Sequence, residues 1–141
     1  MTTVAAITRQ ESFLRALEPT LKQKQITVAG IFSSFQNVSK TLRFLTPDII
    51  LIDVNLDSYP FHYGFVEVTA LIKKELPASK IIAFANFFSE SAVAEVRQIG
   101  IDGYIYRTMP DVEHCLVECI ETVMAGSNFY ARGRDDVQHT R

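Results

Sequence analysis

The segment Pro47-Asp48-Ile49-Ile50-Leu51-Ile52-Asp53 sets four consecutive large aliphatic side chains between a proline-led turn and an aspartate. An unbroken apolar run of this kind, in place of an alternating one, must be covered on both faces, which is the condition of a central strand in a parallel sheet. The aspartate closing the run then falls at the carboxyl end of that strand. This is the edge where open α/β sheets place their ligands and chemistry.

The rest of the chain supplies the partners such a strand needs. Val4 to Ile7 reads as a first strand, and Phe13, Leu14, Leu17 and Leu21 follow at helical spacing, with Pro19 expected to bend or split that helix. Ile26 to Phe32 is a second strand. Ser33 or Ser34 is placed to cap a helix with the stripe Phe35, Val38, Leu42 and Leu45, which Thr46-Pro47 ends. After the third strand come a loop from Val54 to Gly64 and a helix from Phe65 to Leu76. Lys80 to Ala85 is a fourth strand, Ser89 to Ile99 a helix stopped by Gly100, and Ile101 to Tyr106 a fifth strand. Pro110 is expected to open the last helix, whose stripe is Val112, Leu116, Ile120 and Val123, and Gly126 to end it. These alternating units predict an α/β fold, a doubly wound parallel sheet of five strands, over residues 1–126, with a polar tail or linker over 127–141.

Bulk properties narrow the functional classes. A chain of 141 residues, 48% apolar and 21% charged, has the size and composition of one folded domain. A net charge of −2 gives no basic field, so no nucleic-acid contact is expected from this chain. No run approaches the ~20 apolar residues of a membrane span, and the first residues lack a signal-peptide pattern, so a cytoplasmic location without membrane contact is expected. Cys115 and Cys119 share one face of the last helix and read as small hydrophobes. His62, His114 and His139 lack ligand spacing, and no metal site is expected.

The segments Pro47 to Asp53, Lys80-Ile81-Ile82-Ala83-Phe84 and Gly100-Ile101-Asp102-Gly103-Tyr104-Ile105-Tyr106 together resemble the receiver domain of bacterial response regulators. The closing Ile120-Glu121-Thr122-Val123-Met124-Ala125-Gly126 is similar to receivers that precede a helix-turn-helix. The resemblance covers roughly residues 3–130. It implies a flavodoxin-like sheet of order 2-1-3-4-5 and a place in two-component signalling, in which a histidine kinase passes a phosphoryl group to the aspartate after strand three.

Phosphoryl transfer to a carboxylate calls for a divalent cation that bridges the two anions, and Mg²⁺ takes hard oxygen ligands. The resemblance accordingly implies an acidic pair after strand one, a hydroxyl after strand four, a lysine after strand five and a switching aromatic on strand five. Here those positions fall on Thr8 and Arg9, on Ala85 followed by Asn86, on Arg107 and on Tyr104. Asp53 alone of the chemical set remains, and Gly64 stands eleven residues beyond it, in a loop about three residues longer than the family's pattern.

Such a pocket combines one carboxylate with two guanidinium groups, so Mg²⁺ is expected to bind weakly or not at all, and no other cofactor is expected. Arg9 or Arg107 is placed to offer Asp53 a bidentate fork. The alternatives are an Arg9 that points to solvent, or an acid such as Glu11 or Asp57 restoring the metal site. Without a hydroxyl at Ala85, the usual lever on Tyr104 is missing, although Tyr104 also reads simply as a strand aromatic.

Tyr59, Phe61 and Tyr63 after strand three, and Phe87 and Phe88 after strand four, gather aromatics at the pocket mouth, as a docking patch or as an inward-folded lid. The expectation is an atypical, non-enzymatic receiver that acts by protein–protein contact without phosphorylation. Its expected partners are another signalling protein or a second copy bound through the fourth helix, fifth strand and fifth helix, with a histidine kinase as a further candidate. Two other readings stand beside it: a phospho-accepting receiver using Asp53, and a small-anion sensor using Arg9 and Arg107.

Overall fold

Every strand of the sheet is parallel to its neighbours, and each apolar segment named above contributes one. The computed structural model describes residues 1–33, 38–55 and 64–133. In chain order the elements are β1 (Thr2–Ile7), α1 (Glu11–Gln23), β2 (Ile26–Phe32), α2 (Ser39–Leu45), β3 (Ile49–Asp53), α3 (Phe65–Glu75), β4 (Lys80–Ala85), α4 (Glu90–Gln98), β5 (Gly103–Tyr106), α5 (Val112–Met124) and β6 (Phe129–Tyr130). The sheet order is β2-β1-β3-β4-β5-β6, so β3 lies between β1 and β4 with all five of its residues buried.

Side-chain alternation along the strands divides the core into two layers. Ala5, Ile7, Ile50, Ile52, Ile81 and Ala83 pack with Leu42 of α2, Val68 and Ile72 of α3, and Val96 of α4. Val4, Ala6, Ile49, Leu51, Ile82 and Phe84 pack on the opposite face with Leu14 and Leu17 of α1 and with Leu116 and Ile120 of α5. The unbroken run in β3 is thus explained: odd and even positions feed different layers, and both are dry. Each such aliphatic side chain contributes about 1.5–3 kcal/mol by its burial.

Four local expectations are corrected. Pro19 does not split α1, which runs on through it; Leu14 and Leu17 before it and Leu21 after it are all buried, and Pro19 itself is exposed. The second helix begins only at Ser39, with Val38 as its N-cap, so Ser33 does not cap it; Ser34 and Phe35 fall outside the described residues. Pro110 precedes the last helix instead of opening it, because Asp111 takes a left-handed conformation (φ 56°) and α5 starts at Val112. Finally, the chain beyond Gly126 does not leave the domain at once. Phe129 and Tyr130 add a sixth, two-residue strand to β5, and Ala131 and Gly133 are buried.

Candidate functional site

Parallel pairing brings the carboxyl ends of β1, β3, β4 and β5 to one edge, where the loops carrying Thr8, Asp53, Asn86 and Arg107 converge. Asp53 is 4% exposed. Its Oδ1 accepts a hydrogen bond from the Asn55 backbone N–H at 2.8 Å, and its Oδ2 accepts from Thr8 Oγ1 at 3.0 Å and from Gln10 Nε2 at 3.4 Å. A buried carboxylate is costly unless donors surround it, and hydrogen bonds to a charged acceptor are the stronger kind. Thr8 is itself oriented, since its Oγ1 accepts from the Gln10 backbone N–H at 2.9 Å.

The second loop is joined to the first through an amide pair. Gln10 Nε2 donates to Asn86 Oδ1 at 2.6 Å, and the same oxygen accepts from Arg107 Nε at 3.3 Å. Thr108 Oγ1 donates to the Asn86 carbonyl at 2.9 Å, and Arg107 N–H to the Ala85 carbonyl at 2.7 Å, so the loops after β4 and β5 are clasped together. The Arg107 guanidinium lies 5.9 Å from the Phe13 ring centroid, over α1.

The arginine fork is therefore not what meets Asp53. Among the described residues Asp53 enters no ion pair; Arg9 is exposed, and Arg107 spends its Nε on Asn86. Glu11 is exposed and pairs with Arg15 at 3.2 Å. Asp57 and the aromatics Tyr59, Phe61 and Tyr63 lie outside the described residues. Gln10 and Thr108 are the residues that reading the sequence missed. Each stands one position beyond a residue singled out there, and each is an uncharged hydrogen-bonding side chain on a loop, a signal that becomes specific only when the loops are brought together.

Ala85 is buried and brings only a methyl group to the position that the resemblance gives to a hydroxyl. Tyr104 is completely buried, and burial pushes its phenol pKa upward. Its hydroxyl donates to the Phe87 carbonyl at a long 3.4 Å. Of the two aromatics after β4, Phe87 is 68% exposed, whereas Phe88 turns in and meets Tyr106 edge to face at 5.7 Å. The two therefore do not form one patch.

With this geometry in hand, the comparison with known proteins is specific. No protein-family model matches the chain. The response regulator protein VraR of Staphylococcus epidermidis is 33% identical over 86 residues, which cover 61% of this chain and 39% of that protein. The non-phosphorylated receiver domain of the stress response regulator RcsB from Escherichia coli superposes with a TM-score of 0.81 at 17% identity, over 93% of this chain and 98% of that one. RcsB from Salmonella enterica serovar Typhimurium, bound to promoter P1flhDC, superposes at 0.76 with 18% identity, over 91% of this chain and 62% of that one. The fold is the flavodoxin-like receiver fold with a short additional strand, and over 86 residues the chain is similar in sequence to a response regulator. It spans about two fifths of the length of the VraR relative it matches.

The expected partners are corrected by these findings. Net charge predicts no nucleic-acid contact, yet one of the similar proteins is seen on a promoter. Net charge reports on this stretch of chain only, and the promoter-bound relative is longer than the part of it that superposes here. No described helix is long and apolar enough to cross a membrane.

Proposed function

We propose that this receiver works without phosphorylation, as a module that acts through contacts with the remainder of a longer protein. The observation that carries the reading is the state of Asp53: both of its oxygens are taken up by Thr8, Gln10 and Asn55. The described groups around it are one carboxylate, a hydroxyl and two amides. Mg²⁺ needs near-octahedral oxygen coordination and is usually held by one or two carboxylates with water and phosphate, and among the described residues no second acid joins Asp53 in a cluster that could hold a metal. These residues do not fit the ion that phosphoryl transfer requires.

Readout is altered in the same direction. Tyr104 is already buried with no hydroxyl at residue 85 to draw it in, so its inward position needs no phosphoryl group. In the longer protein, by analogy with the promoter-bound relative, DNA would be the ultimate target and this domain would position the portion that reaches it.

Intact-mass and thermal-melting measurements with acetyl phosphate or beryllofluoride, with and without Mg²⁺, test the reading on wild type and Asp53→Ala. No Mg²⁺-dependent adduct and no Mg²⁺-dependent shift in wild type is the expected result. An adduct or stabilisation that needs Mg²⁺ and disappears in Asp53→Ala would overturn it.

A further inference from the structure

The segment after α5 returns to the sheet and binds it at a point with no counterpart in the sequence reading. Phe129 N–H donates to the Asp102 carbonyl at 3.0 Å and Ala131 N–H to the Tyr104 carbonyl at 2.9 Å, which sets Tyr130 beside Tyr104. Side chains hold the same segment from α4 and β5. The Tyr130 hydroxyl donates to the Ile101 carbonyl at 2.6 Å, the Arg97 guanidinium lies 4.5 Å over the Tyr130 ring, and the Tyr106 hydroxyl donates to the Arg132 carbonyl at 3.2 Å. Gly133 sits against Phe88 so closely that a Cβ there would stand 2.6 Å from the ring.

Phe88 belongs to the same short connection as Asn86 and Phe87. Asn86 is tied through Gln10 to Asp53, the Phe87 carbonyl accepts from Tyr104, and the Phe88 ring leans on Tyr106 and Gly133. A chain of contacts therefore runs from the pocket, through the four residues between β4 and α4, to the segment 129–133. That segment is also the shortest strand of the sheet, a two-residue edge strand beside β5, of the kind that opens locally while the core stays closed. A cavity of about 210 Å³ remains between it and α4, lined by Phe88, Val93, Arg97 and Tyr130 among others, so it is not sealed into the core.

We propose that residues 129–133 form a releasable strap that reads the position of the β4–α4 connection and passes it to whatever follows in the chain. With Asn86 held by Gln10 and Phe88 packed on Tyr106, the strap is seated on β5. A change at Asn86 that moves Phe88 removes the surface on which Gly133 rests and frees the strap. By linkage the coupling is reciprocal, so pulling the strap away loosens the connection beside Asp53. The proposal does not depend on whether Asp53 accepts a phosphoryl group, since it concerns how any change in the pocket leaves the domain.

Amide hydrogen exchange resolved by residue tests it on the full chain. Gly133→Val forces a branched side chain into the Phe88 ring and is expected to speed exchange at Phe129 and Ala131 about tenfold or more. Arg97→Ala, a surface change that spares the fold, should speed the same amides about two- to fivefold through loss of the contact with Tyr130. Asn86→Ala touches no strap residue, yet should speed them about threefold or more through the shared connection. In all three variants the amides of β1, β3 and β4 should keep their wild-type protection. Unchanged strap amides in Asn86→Ala would overturn the relay. Strap amides that open only together with β1, β3 and β4 would overturn the strap as a separate unit.

Discussion

Gln10 donates a 2.6 Å hydrogen bond to Asn86, and with it the loop after β1 grips the loop after β4 across the face of Asp53. The receiver pocket is thus closed by an amide bridge where the resemblance implied a cation. Gln10→Glu removes the donor to both Asn86 and Asp53 and sets a second carboxylate near the first. We expect a loss of about 1–3 kcal/mol in urea unfolding without divalent ions. Because the added acid supplies a hard ligand, millimolar Mg²⁺ should restore part of that loss in the variant and leave wild type unmoved.

Gly103 is required by three close neighbours at once. A Cβ there would stand 2.7 Å from Cys119 Sγ, 3.1 Å from Ile82 Cγ1 and 3.3 Å from the Phe129 carbonyl oxygen. Gly103→Ala should cost about 1–3 kcal/mol by overpacking. Cys119→Ala removes the sulfur, so thermal melts of the double variant should show a smaller loss than the sum of the two single changes.

Thr46 closes α2 in a left-handed conformation, φ 45° and ψ 58°, which a β-branched residue adopts at a cost. Its side chain is exposed and bonds only the adjacent Leu45 carbonyl among the described contacts. Glycine takes the same conformation without the Cβ clash. Thr46→Gly should therefore stabilise the domain by about 1 kcal/mol, seen as a rise of roughly 3 °C in melting temperature.

Burial pushes the Cys115 thiol from its ordinary 9.0 up to about 11, with Glu118 and Asp111 adding to the effect, and burial moves Cys119 in the same direction. The unfolded chain then gives up these protons first as pH rises. The contribution to stability is complete below pH 9.0 and declines as pH climbs towards about 11. The urea midpoint should fall more gently across that window in Cys115→Ala than in wild type, and alkylation of the native thiols near pH 8 should be slow beside that of a free thiol.

Much of the architecture was legible because it follows from local chemistry. The run Ile49 to Ile52 could be satisfied only between two dry layers, and Gly100, found at φ 80°, had to end α4. Five strands in order, the receiver resemblance and the position of Asp53 at the working edge follow from patterns within seven or so residues. A period or a cap is a property of neighbours in the chain, and a sequence displays neighbours directly.

Apart from the neighbouring Asn55 amide, what surrounds Asp53 is a property of residues 43 to 76 positions apart, and only the tertiary structure decided it. Charge counting favoured Arg9 or Arg107 as its partner, but Coulomb attraction is long-ranged and says little about reach. The turn after β1 directs Gln10 across the pocket, and Arg107 lies over Phe13 with its Nε on Asn86. The strap was hidden for a similar reason. Phe129 and Tyr130 are too few to register as a strand alone, and they become one because β5 offers an open edge, Arg97 a cation for the ring and Gly133 the room to pass Phe88.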